Sequence, residues 1–211
     1  MMDRDIGNKS FPIWLIGDSN PAHWQENLNS PLDPRHPIRH IIWTSVLDEI
    51  QDKVFRESRL RINTADIYIR NAIDNPELKP GGTILEWGNI LEAEILVLKK
   101  LLVEYCPIFV FSFGAFSFEF VRRTLDEMPR RNFGYWGAKS LGEEFVKRMS
   151  VFSPEKINLL PMLHRSIAGG KFIQSHNYFC DQNGANYFEY VGSKIAEKLL
   201  VYQQDLPIWI E

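Results

Sequence analysis

Four short segments constrain this chain more than anything else in it. They are the apolar runs Pro12–Ile16, 108–113 and 156–163, and the alternating stretch 65–73, AlaAspIleTyrIleArgAsnAlaIle. A continuous apolar run of this length predicts a strand covered on both faces, as in a parallel sheet. Helical patterns lie between the strands. Residues 38–56 carry Ile41, Ile42, Val46, Ile50 and Val54 at near-helical spacing, and residues 84–104 place Ile84, Leu91, Ile95, Leu98 and Leu102 on one face. Further helices are expected over 115–126, 140–149 and 185–200, with loops at 20–37, 74–83 and 129–139. Strands alternating with helices imply right-handed crossovers and helices on both faces of the sheet. The expected fold is therefore α/β, a three-layer α/β/α sandwich with a four-stranded, mostly parallel central sheet. It is read as one domain over residues 1–211, with 1–10 as a loose leader.

In such folds, ligands bind beyond the carboxyl ends of the strands. The polar residues of this chain collect there. Gly17, Asp18, Ser19, Asn20 and Pro21 follow the first strand, with Trp24 shortly after; Asn71 ends the second; His164, Arg165 and Ser166 follow the fourth. Random placement would not favour one edge of the sheet.

Composition removes several function classes. With 24 Lys and Arg against 27 Asp and Glu, the formal net charge is −3, which argues against a general nucleic-acid coat. The two cysteines, Cys106 and Cys180, cannot make a four-Cys metal or iron–sulfur site. His23, His36, His40 and His176 lack metal-ligand spacing. No metal or cofactor is expected. No apolar run approaches the ~20 residues of a membrane span, and the polar N-terminus shows no signal peptide. A cytoplasmic monomer is the expectation. The segment 129–139, ProArgArgAsnPheGlyTyrTrpGlyAlaLys, is basic and aromatic. It reads as a solvated loop, with backbone contacts to nucleic acid through Arg130, Arg131 and Lys139 as the sharper alternative.

Taken in order, GDSNP at 17–21, YIRNAI at 68–73, the helix–Pro–strand–Gly unit at 90–114 and LPMLHRS at 160–166 resemble the uracil-DNA glycosylase superfamily. The likeness extends over roughly residues 11–200 and lies in the order of short motifs. It implies a base flipped from the stack into a pocket and hydrolysis of the N-glycosidic bond of uracil or a related damaged base. Asp18 or Asn20 would orient water and stabilise the sugar cation. His164 would stabilise the departing base anion. Asn71 would read the imide edge, since an amide offers both donor and acceptor. Trp24 would stack on the base, with Ser19 beside it, and Arg165 or Ser166 would touch phosphate. The implied partner is DNA, single- or double-stranded, or a free nucleobase or nucleotide. The sequence departs from the family pattern twice. Two residues separate Gly17 from Asn20 where the motif has one, and Arg165 stands where it has Pro.

Two other readings fit parts of the sequence. One is a non-catalytic relative that binds a nucleobase or nucleic acid. The other is a Gly-Asp-Ser esterase with Ser19 as nucleophile. The esterase also needs an Asp-x-x-His element near the C-terminus, whereas no His follows His176 and Ile173 stands three residues before it.

Overall fold

The computed structural model describes residues 5–19, 44–164, 177–180 and 186–210. Strand β1 (Asp5–Ile6) precedes β2 (Ile13–Gly17), helix α1 (Thr44–Ser58), β3 (Arg61–Ile62) and β4 (Tyr68–Asn71). Helix α2 (Asn89–Tyr105), β5 (Phe109–Phe113), α3 (Ala115–Thr124) and α4 (Ala138–Ser150) follow, then β6 (Asn158–Met162), α5 (Tyr187–Val201) and β7 (Trp209–Ile210).

All four expected strands form and pair in parallel, in the order β4-β2-β5-β6. Their burial explains the continuous apolar runs: every residue of β2, β5 and β6 is buried. The sheet nevertheless has five strands and is mixed. Asp5 and Ile6 pair antiparallel with Arg70 and Ile69 at the β4 edge. Part of the expected leader is thus a strand. Two residues are too few to show periodicity, and what fixes them is distant: Arg70 Nη1 reaches Asp5 Oδ1 at 3.3 Å. A second antiparallel pair, β3 with β7, joins the end of the chain to the exit of α1.

The crossover hand sets the layers. From β2 the chain moves one way to β4 through α1; from β4 it moves the other way to β5 through α2, and onward to β6 through α3 and α4. Right-handed connections put α1 on one face and α2 and α3 on the other. Helix α5 joins α1. A Cβ on Gly192 would stand 2.5 Å from Glu49 Cβ and 3.2 Å from the Val46 carbonyl, so only glycine permits this approach. The core faces follow the sequence pattern with one correction. Val46, Ile50 and Val54 of α1 are buried, as are Leu91, Ile95, Leu98 and Leu102 of α2. Ile84 is 47% exposed, because α2 begins only at Asn89. No helix among the described residues is long and apolar enough to cross a membrane.

Helix α3 is buried from Phe116 to Thr124, charged residues included. Glu119, wholly buried, accepts from Arg123 Nε at 3.1 Å and the Arg131 backbone N–H at 2.8 Å through Oε1. Its Oε2 accepts from Arg122 Nη1 at 2.8 Å and the Trp136 indole N–H at 2.7 Å. Arg123 donates on to the Leu85 and Arg131 carbonyls. This network ties residues 131–136 to α3. It also corrects the reading of 129–139 as simply solvated: Trp136 is buried, Arg130 pairs with Glu92 and Lys139 with Glu143.

Candidate active site

Strand β2 ends at Gly17, in register with Asn71 at the end of β4. The two exits stay joined beyond the sheet, since Ala72 N–H donates to the Gly17 carbonyl at 2.9 Å and Ile73 N–H to that of Asp18 at 3.2 Å. On the other side of β2, β5 runs into Gly114, whose φ of +95° would strain any other residue. Gly114 N–H donates to the Met162 carbonyl at 2.9 Å. His164 packs against this turn, for a Cβ on Gly114 would stand 3.0 Å from His164 Cβ. The carboxyl edge therefore carries Asn71, Asp18 and Ser19, Gly114 and His164 in strand order.

The connections leave the neighbouring strands β2 and β5 toward opposite faces, α1 on one and α3 on the other. The gap between them is the topological switch point, where open α/β sheets take ligands. His164 packs closely against Gly114 on the β6 side of that gap, in the room that a Cβ would take.

Asp18 is anchored there. Its side chain is 16% exposed, and Oδ2 forms an ion pair with Lys79 Nζ. Its Oδ1 is buried with no hydrogen-bond partner among the described residues. A buried carboxylate oxygen without a donor is costly, so this oxygen is a ready acceptor for water or a ligand N–H. Ser19 is half-buried beside it.

Lys79 was not legible in the sequence. It follows a 3₁₀ turn, Pro76–Leu78, whose start is capped when the Asn75 side chain accepts from Glu77 N–H. Its ammonium lies 5.2 Å from the ring centres of both Phe116 and Phe133. Those rings meet edge-on at 5.5 Å, and Trp87 packs on Phe116 at 5.3 Å. This aromatic wall belongs to the α3 scaffold. Gly134 N–H donates to the Gly82 carbonyl at 2.8 Å, and a Cβ on Gly134 would fall 2.5 Å from that oxygen. The Glu119 network thus fixes 131–136, which presses on the 79–82 segment, which holds Lys79 against Asp18. A lysine 61 residues from its partner gives no local signal.

Of the candidates from sequence, Asp18, Ser19, Asn71 and His164 come to one edge. Asn20, Trp24, Arg165 and Ser166 lie outside the described residues, as do His23, His36, His40 and His176. Among the described residues, no group of three or more His, Cys, Asp or Glu side chains could hold a metal ion. Compared with known proteins, the chain matches no protein-family model, and no curated protein matches it at a significant level.

Proposed function

We propose that this chain is an N-glycosyl hydrolase of the uracil-DNA glycosylase type, acting on uracil or a related damaged base in DNA. The observation that carries the reading is the Asp18 carboxylate at the switch point, one oxygen held by Lys79 and the other unpartnered among the described residues, on the same sheet edge as Asn71 and His164.

Each group has a part in the reaction. Bond cleavage leaves cationic character on the sugar and a negative charge on the base. The free oxygen of Asp18 accepts a hydrogen bond from the attacking water and sits as negative charge beside the cation. Lys79 keeps the carboxylate in one orientation. His164 donates to the base oxygen where charge develops, the type of group whose removal costs ~10²–10³ in rate. Asn71 pairs with the imide, and a pyrimidine lacking that pattern leaves the amide unsatisfied. No metal has a part in this scheme. In the cell, such an enzyme would work wherever DNA is repaired by base excision.

The test is incubation of the purified protein with single- and double-stranded oligonucleotides carrying uracil, hypoxanthine or mismatches, followed by strand scission at abasic sites. Product is expected with at least one of them, with large losses in His164→Ala and Asn71→Ala. Absence of product with every substrate and no DNA retention at low salt would refute the reading. Retention without cleavage would instead favour the non-catalytic relative. The Asp18–Lys79 pair is the observation in favour of that second reading, since it occupies half of the carboxylate.

A further inference from the structure

Helix α2 is apolar on two opposite faces. Leu91, Ile95, Leu98 and Leu102 lie in the core, while Ile90, Leu96, Val97 and Val103 point outward at 58, 57, 44 and 70% exposure. The outer face of a surface helix is ordinarily polar; here exposed apolar side chains flank Ala93, Lys100 and Glu104 on both sides, and exposed apolar side chains gathered with a polar rim mark an interaction surface. Met128, 74% exposed, adds to it. Its neighbours Asp126 and Arg130 pair with Lys99 and Glu92, which holds Met128 alongside α2.

We propose that this face binds the same face of a second copy of the chain, with the two α2 helices antiparallel and a two-fold axis passing between Leu96 and Val97. The pattern of the face is self-complementary in that register. Ile90 meets Val103 of the second copy, and Leu96 meets Val97. Ala93 meets Lys100, so a single methyl leaves room for the long aliphatic stem. Glu104 meets Asn89, the first residue of α2. That terminus is capped by Gly88 with no side-chain hydrogen bond, so its free N–H groups and positive dipole end suit an incoming carboxylate. Lys100 has no ion pair among the described residues. A parallel pair would set Lys100 against Lys100 and Glu104 against Glu104. Reciprocity of this kind belongs to an isologous contact between copies and is not needed for an unrelated apolar ligand.

The stripe from Ile90 to Val103 is about 20 Å long. One helix pair with flanking Met128 falls at the small end of protein interfaces, below ~1,200 Å² in total. The dimer therefore exchanges with monomer, which departs from the monomer expected from sequence. The inference is independent of the proposed chemistry.

Sedimentation velocity on the full chain between about 2 and 200 μM tests it. The wild type is expected to shift from monomer to dimer across that range. Leu96→Glu is expected to stay monomeric throughout, with unchanged circular dichroism and Tm, because the position is exposed. Glu104→Lys is expected to weaken association about threefold to tenfold, as loss of a dipole contact does. For the register, Ile90→Cys and Val103→Cys chains are mixed in a Cys106→Ser background and oxidised. Mixed disulfides are expected to dominate. A wild type that stays monomeric over the whole range, a dimer indifferent to Leu96→Glu, or a preference for self-linked Val103→Cys chains would each overturn the proposal.

Discussion

Two carboxylates in this molecule have opposite fates. Glu119 is wholly buried and accepts four hydrogen bonds, two on each oxygen. Asp18 is slightly exposed, with one oxygen paired to Lys79 and the other without a partner among the described residues. Both cost desolvation. Glu119 is satisfied within the chain and works as scaffold. Asp18 is left short of a donor at the place where this fold class takes ligands, and an unmet acceptor there is a functional signal. The two are linked through Trp136, Phe133 and Lys79, so the scaffold decides where the site's charge sits.

The largest expected effect of breaking this comparison is on the scaffold side. Glu119→Ala removes the carboxylate shared by two buried guanidinium groups. Among the described residues it leaves Arg122 only Glu127 and Arg123 only the more distant Glu92 as ion-pair partners, and it should cost ~3–5 kcal/mol in denaturant unfolding. A loss under about 1 kcal/mol would show the network to be replaceable by water.

Next comes the link itself. Gly134→Ala puts a methyl 2.5 Å from the Gly82 carbonyl. The shift needed to relieve it should cost ~1–3 kcal/mol, as overpacking does, and should lower the rate of base release beyond what the loss of folded protein explains. Lys79→Met removes the partner of Asp18 but keeps an apolar stem against Phe116 and Phe133. It should lower the rate about tenfold with a stability change of about 1 kcal/mol or less. If stability fell while the rate per folded molecule held, Lys79 would belong with the scaffold.

The smallest effect is one of pH. Burial pushes the Glu144 carboxyl up, but hydrogen bonds from Lys147 and Arg148 outweigh it and hold the group below its ordinary 4.5. A carboxyl with a depressed folded pKa adds stability above its unfolded pKa and loses it as pH falls through the folded one. Stability should therefore decline as pH drops below about 4.5. In Glu144→Gln that acid limb should be shallower, read from urea midpoints between pH 3 and 6 taken in ~0.5-unit steps. Identical acid limbs would remove Glu144 from the account.

How much of this was legible in the sequence follows from where the information lies. Apolar runs and helical spacing are local, so β2, β4, β5 and β6 and the inner face of α2 were readable. Asp18, Asn71 and His164 were readable because a parallel sheet puts strand ends on one edge. Asp5–Ile6 and the β3–β7 pair were not, since two-residue strands carry no periodicity. Lys79 was invisible because its partner is remote in sequence. Glu119, Arg122 and Arg123 lie in a stretch that the sequence marks only as a helix over 115–126, yet the arginines pair with the glutamate and α3 is buried from Phe116 to Thr124. Charge is ordinarily a sign of exposure, and only the three-dimensional pairing reverses it.

The central claim, that the free oxygen of Asp18 works in base release, is tested by one comparison. It is the single-turnover rate of abasic-site formation on a uracil-containing single strand by wild type and Asp18→Asn. The amide keeps the shape and loses the charge. The account predicts measurable release by the wild type and a loss of about 10²-fold or more in the variant, with Tm changed by only a few degrees. Equal rates in the two proteins, or no release by a wild type that binds the strand, would contradict it.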